Sequence, residues 1–179
     1  MMDHPNQQTL LAKAFQQTAH GGFDSLSLRG MAAVLEVSED ELKRHYPDRI
    51  ALRAALIAES REQLIRALTH AISEEAETSS LLRFAEAYLR FAKENLVVFD
   101  LWRDDFMHSF DRRGSTPFWR LLYTNMGRMD SNTQSDELAL AFFALLNGLV
   151  SIQISFGGND SILGQSLRST TTLFLARKR

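Results

Sequence analysis

Lys43, Arg44, His45, Tyr46 and Arg49 lie close together near the amino terminus, with Ser27, Arg29 and Ser38 a short way upstream. Ammonium, guanidinium, imidazole and hydroxyl groups gathered in this way can reach phosphate oxygens, where such contacts position a partner rather than read its bases. Glu39, Asp40 and Glu41 directly precede the cations. Acids in the first turn of a helix are stabilised by its macrodipole, and Glu41 can return a capping-box bond. The other reading is that one of them accepts from a cytosine amino group.

Catalytic chemistry finds little support. Asp104 and His108 stand at i and i+4, enough for two ligands on one helix face, but no third acid or histidine has telling spacing, so a surface ion pair is the better reading. Asp104 and Asp105 point about 100° apart on a helix and do not share a substrate. There is no glycine-rich phosphate loop and no nucleophile elbow. The absence of cysteine rules out disulfides and thiolate chemistry. No enzyme activity, metal or cofactor is expected.

The elements that hold the cationic cluster are legible. Ser27 can cap a helix whose apolar positions Leu28, Met31, Ala32 and Leu35 recur at helical spacing. Ser38 followed by Glu41 is a capping-box signature that opens a second helix, and Glu36, Val37 and Ser38 separate the two. That layout matches a helix-turn-helix, whose second helix can enter the major groove of DNA. Ala32 is small enough for close helix crossing, and Val37 can plug the space beneath the turn.

With its surroundings this region resembles the amino-terminal domain of tetracycline-repressor (TetR) type transcriptional regulators. Leu10, Leu11 and Ala14 look like the family's first helix, Gly22-Phe23 like its glycine-aromatic break, and Leu28-Arg29 with Met31-Ala32 like the start of its second helix. His45-Tyr46-Pro47-Asp48-Arg49 resembles the exit from the recognition helix. The likeness covers roughly the first third of the chain. Two positions depart from it: Glu36 stands where the family commonly has glycine, and Lys43 where it usually has tyrosine. A non-glycine residue at positive φ costs about 1 kcal/mol, whereas lysine replaces a phosphate hydrogen bond by a charge contact.

Residues 1 to 50 carry five cations against seven acids, a net charge of −2. DNA binding by so acidic a head is expected to be weak, strongly salt-dependent, or confined to a small focused patch.

The rest of the chain also reads as helices. A long one runs from Asp48 through Leu64, Leu68, Ala71 and Ile72, and residues 73–80 have the composition of a linker. Phe84, Tyr88 and Phe91 then mark one amphipathic helix, and Phe99, Trp102, Phe106 and Phe110 the next. Asp111 to Ser115 reads as a loop, and Thr116-Pro117 as a cap followed by proline at the first helical position. Trp119, Leu122, Tyr123 and Met126 form the stripe of the helix that follows. Phe84, Tyr88, Phe91, Phe99, Trp102, Phe106, Trp119, Tyr123 and Met126 are taken as walls of a pocket for a small apolar or flat ligand. An ordinary core gives the same pattern; the resemblance adds that the family's carboxy-terminal domain commonly binds an effector among such helices.

The last two helices read as association elements. Leu138, Phe142, Leu145, Leu149, Ile152 and Phe156 define a stripe behind a Ser135 cap, stopped by Gly157-Gly158. Asp160 or Ser161 caps a final helix with Leu163, Leu167 and Phe174. The dimer interface is assigned to Leu138, Phe142, Leu145, Leu149, Ile152, Leu163, Leu167 and Phe174, a four-helix arrangement the family typically forms, although burial within one chain gives the same pattern.

The whole reads as an all-α protein: an amino-terminal three-helix bundle with a helix-turn-helix in residues 1–50, and a carboxy-terminal helical bundle for ligand binding and dimerisation in residues 51–179. The function expected is a ligand-responsive transcriptional regulator, a repressor released from a palindromic double-stranded operator by a small-molecule effector. Its DNA-binding residues are Ser27, Arg29, Ser38, Glu39, Asp40, Lys43, Arg44, His45, Tyr46 and Arg49. The alternatives are a carrier of small molecules or lipids on the same fold and a module that works only through its last two helices. The opening MMDHPNQQTLLAKAF lacks a basic segment followed by an apolar run, and no stretch is read as membrane-spanning, so a cytoplasmic homodimer without membrane partners is expected.

Overall fold

The computed structural model describes residues 6–21, 27–73, 79–108, 116–126, 133–156 and 160–176. Every regular element among them is an α-helix: α1 (Gln7–Gly21), α2 (Leu28–Val34), α3 (Glu39–His45), α4 (Arg49–Ser73), α5 (Ser80–Glu94), α6 (Leu96–His108), α7 (Pro117–Asn125), α8 (Thr133–Phe156) and α9 (Asp160–Ala176).

Side-chain caps set where many of them begin. Asn6 Oδ1 accepts from the Thr9 amide at 2.8 Å, Ser27 Oγ from Gly30 at 3.0 Å and Ser38 Oγ from Glu41 at 3.1 Å. Asp48 Oδ1 accepts from the Ala51 amide at 2.7 Å, and Thr116 Oγ1 takes a longer bond from Trp119 at 3.5 Å behind Pro117. Each satisfies a donor that has no partner within its own helix. At the other end of α4, Arg83 Nε and Nη2 donate to the carbonyls of Ala71 and Ile72 at 2.9 and 3.1 Å. A guanidinium there closes the helix before residue 74 and favours the negative end of its dipole. The expected linker falls largely on residues 74–78, outside the described residues, as do Gly22, Phe23, Phe110, Asp111 to Ser115 and Gly157-Gly158. The side chains of Ser135, Asp160 and Ser161, assigned as caps, and of Phe156 also lie outside them.

The chain divides into two compact units, Met1–Gln63 with Glu94–His108, and Leu64–Lys93 with Ser109–Arg179. In the first, α2 packs on α3 and α1 on α6. Its core contains Leu10, Ala14 and Phe15 of α1, Met31 and Ala32 of α2, Leu42 of α3, Leu52, Leu56 and Ile57 of α4, and Val98, Phe99, Trp102 and Phe106 of α6. In the second, α7 and α9 both pack on α8. Leu64 and Leu68 of α4, Leu81, Phe84 and Tyr88 of α5, Phe118 and Leu122 of α7, and Phe142, Phe143 and Leu146 of α8 are buried there.

α8 corrects one expectation. Its segment Glu137–Ser155, 19 residues of mean hydropathy 1.9, is long and apolar enough to cross a membrane by length and composition, and 33% of it is buried inside the chain. The physical reason is an apolar character on both faces. Ala139, Phe142, Phe143, Leu146, Leu149 and Val150 fill the core, while Leu140, Ala144, Gly148, Ile152 and Ile154 face outward.

Candidate nucleic-acid interface

The turn between α2 and α3 is held by its own backbone. The Glu36 amide donates to the Ala33 carbonyl at 3.2 Å and the Val37 amide to the Ala32 carbonyl at 3.0 Å, which puts Glu36 at φ 58. This is the left-handed conformation that glycine would adopt without penalty. Val37 itself is half-buried.

Burial then divides the three acids of α3 by role. Glu41 and Leu42 point inward and His45 is half-buried, so the opposite face carries Asp40, Lys43 and Arg44, with Glu39 at its margin. Glu41 bonds Arg44 Nη2 through one carboxylate oxygen and lies 3.8 Å from His45 Nε2 through the other. A buried carboxylate engaged with two groups of its own helix is a local structural element, which leaves Glu39 and Asp40 as the acids a groove could meet. Glu39 Oε1 lies 2.7 Å from Lys43 Nζ. The hydrogen bond and charge of Lys43 hold the Glu39 carboxyl below its ordinary range, helped by Arg29, and the same pair raises the Lys43 ammonium. Asp40 makes no ion pair among the described residues. Ser27, Arg29 and Ser38 are exposed along the same region, although the hydroxyls of both serines are engaged as caps.

Tyr46 departs from the sequence expectation. The residue is 3% exposed, and its hydroxyl donates to the Gln7 carbonyl at 3.3 Å, tying the exit of α3 to the start of α1. Burial pushes its phenol up, partly offset by the Gln7 bond. A phenol so enclosed serves the core of the unit, not a phosphate. Arg49, half-buried, opens α4 just beyond it.

The nine residues assigned to a ligand pocket do not fall in one unit. Phe99, Trp102 and Phe106 belong to the first, where their rings follow one another along α6 at 5.6 and 5.2 Å between centroids. Phe84, Tyr88, Phe91, Trp119, Tyr123 and Met126 belong to the second, all buried except the half-buried Tyr123. The centre of that second cluster is a residue outside the stripe expected for α7. Phe118 lies 5.7 Å from Phe84, 5.9 Å from Tyr88, 5.7 Å from Trp119 and 5.4 Å from Phe143. Its i, i+4 spacing from Leu122 was the available signal. Among these rings the Tyr88 hydroxyl donates to Asn147 Oδ1 at 3.2 Å, while Asn147 Nδ2 donates to the Phe143 carbonyl at 2.9 Å.

The association stripe is also corrected in part. Phe142, Leu149 and Leu167 are buried within the single chain, so they belong to its core and not to a seam. Leu138 and Leu145 are half-buried and Ile152 is 46% exposed; the side chains of Leu163 and Phe174 lie outside the described residues. The outward face of α8 runs through Leu140, Ala144, Gly148 and Ile152, one helical ridge rotated from the stripe expected. Asp104, read as half of a surface ion pair with His108, lies 3.7 Å from Arg53 of α4, and the His108 side chain is outside the described residues. No group of three or more His, Cys, Asp or Glu among the described residues could hold a metal ion.

No family model and no curated protein matches the chain. Solved structures do. A TetR-like transcriptional regulator from Rhodococcus sp. RHA1 is similar over 97% of this chain and 99% of its own, at 22% identity and a TM-score of 0.68. A TetR-family regulator from Streptomyces coelicolor covers 94% of this chain and 82% of its own length, at 15% identity and a TM-score of 0.71. The multidrug binding protein EbrR, solved with imidazole, matches over 91% of this chain and 88% of its own, at 17% identity and a TM-score of 0.59. At these identities the likeness is one of fold.

Proposed function

We infer that this chain, whose fold is that of TetR-family transcriptional regulators, is itself a DNA-binding transcriptional regulator. The observation that carries the reading is α3, capped by Ser38, packed on α2 and exposing Asp40, Lys43 and Arg44 on one face. A capped helix with its polar face outward, following a four-residue turn, is what major-groove entry requires. Residues 1–50 supply the DNA contacts, with Ser27, Arg29, Ser38, Lys43, Arg44, His45 and Arg49 directed to phosphates and Glu39 or Asp40 to base edges. Residues 51–179 bind ligand and dimerise.

The protein acts as a cytoplasmic homodimer on a palindromic operator, with its two recognition helices about 34 Å apart, one turn of duplex, or a multiple of it. A small apolar effector favours the state in which that spacing is lost, and repression is relieved. The likeness to a multidrug binding protein supports the effector; the outward apolar ridge of α8 supports the dimer. One observation favours a second reading, a small-molecule carrier on the same fold: Lys43 and Arg44 are both paired to acids of their own helix.

Selection of bound fragments from sheared genomic DNA of the source organism decides between them, with a Lys43→Ala, Arg44→Ala variant as control. Enrichment of a palindrome that the variant loses is expected. A folded dimer that enriches nothing would leave the carrier reading standing.

A further inference from the structure

The two cations at the centre of the outward face of α3 are engaged before any DNA arrives, and their partners differ in freedom. The Glu41 side chain is 9% exposed and holds Arg44 while facing His45. The Glu39 side chain is 37% exposed, its ion pair among the described residues is with Lys43, and Lys43 itself is 46% exposed. A phosphate that reaches Arg44 meets a carboxylate fixed by burial. A phosphate that reaches Lys43 meets one that can swing into water.

We propose that Glu39 is a specificity-determining residue that competes with DNA phosphate for Lys43, so that this contact forms only on a duplex that fits the helix well enough to displace the carboxylate. The proposal rests on the DNA-binding reading above and deepens it. Non-specific affinity comes almost wholly from phosphate neutralisation and counterion release. On a loosely seated duplex, exchanging an internal carboxylate for an external phosphate leaves the charge on Lys43 no better compensated, so the usual gain from one contact is withheld there. Where base-edge contacts and duplex shape seat the helix closely, a phosphate is held against Lys43, the carboxylate is displaced and part of that gain returns. The ratio of specific to non-specific binding therefore rises although absolute affinity falls. An acid on a recognition helix thus acts as a filter.

Simple repulsion between Glu39 and DNA would also weaken binding, and Asp40 separates the two causes. It is one residue away, exposed, carries the same charge and makes no ion pair among the described residues. The experiment measures equilibrium binding of the full chain to a random-sequence duplex and to the most enriched genomic fragment over a salt series. Wild type, Glu39→Gln, Asp40→Asn, Lys43→Ala and the Glu39→Gln, Lys43→Ala double variant are compared. Glu39→Gln is expected to steepen the slope of log K against log salt by about 0.9, one phosphate contact, and to tighten binding to random duplex by about threefold at low salt. The gain on the enriched fragment is smaller, Asp40→Asn leaves the slope on random duplex unchanged, and Lys43→Ala abolishes the effect of Glu39→Gln. An unchanged slope in Glu39→Gln, or an equal steepening in Asp40→Asn, overturns the proposal and leaves the DNA-binding reading intact. If neither wild type nor Glu39→Gln binds either duplex at the lowest salt, the DNA-binding reading falls and takes the proposal with it.

Discussion

Ser60 donates its hydroxyl hydrogen to the carbonyl oxygen of Val98 at 2.9 Å, with both residues wholly buried. The bond ties α4 to α6 inside the first unit. Ser60→Ala is expected to destabilise the chain by about 1 kcal/mol, the net worth of an ordinary buried hydrogen bond. A lower urea midpoint at unchanged slope would record it; an unaltered midpoint would mean that the bond contributes nothing.

Tyr46 makes stability depend on alkaline pH. Its folded phenol titrates above the ordinary value because burial disfavours the phenolate. The unfolded chain therefore loses this proton first, so the contribution is complete below the unfolded pKa of about 10 and is lost as pH rises through the folded one. Tyr46→Phe removes the bond to Gln7 and costs about 1 kcal/mol at neutral pH. Above the unfolded pKa the gap between the two proteins should narrow. A gap that stays constant across that range would contradict the burial argument.

Glu36→Gly relieves a left-handed residue, φ 58, at the centre of the helix-turn-helix. The relief is about 1–2 kcal/mol, and the extra freedom of glycine in the unfolded chain takes back about 0.4–1 kcal/mol. A net gain of about 0.5 kcal/mol should appear as a small rise in Tm. A fall would show that the Glu36 side chain stabilises the turn in some other way.

Two residues of α8, both assigned to the seam by their spacing, should behave in opposite ways. Ile152→Glu sets a charge on the outward ridge and should shift the chain from dimer to monomer in sedimentation equilibrium while its secondary structure persists. Phe142→Ala empties a wholly buried site and should cost about 3–5 kcal/mol of stability, with association lost only as the chain unfolds. Dimers of normal affinity in Ile152→Glu would remove this ridge from the interface.

Local chemistry was the legible part of the fold. Ser27, Ser38, Thr116 and Pro117 announced three helix starts, because capping depends on residues within a few positions of one another. The strained Glu36 could be anticipated because a known helix-turn-helix pattern has glycine at that point. What periodicity could not supply was which apolar stripe faces inward when a helix is apolar all round, and α8 is such a helix. Phe142 and Ile152 look equivalent in sequence, and only packing against α7 and α9 separates them. Tyr46 was misjudged for a related reason: a tyrosine at a helix exit can turn to water or to α1, and the choice is made by Gln7, thirty-nine residues upstream. The pairing of Glu39 with Lys43 follows from i, i+4 spacing, but the contrast between a part-exposed Glu39 and a buried Glu41 needed the packing of α3.

The first compact unit is discontinuous: α1 ends at Gly21, and the helix it packs on, α6, does not begin until Leu96. On a ribosome the helix-turn-helix therefore emerges long before the surface that completes its core. The face of α1 that packs on α6 must wait, solvated or held by a chaperone, until α6 has been synthesised. Contacts so distant in sequence slow the search for the native state. A chain stopped after residue 50 would accordingly carry every proposed DNA contact and lack the partner of its first helix.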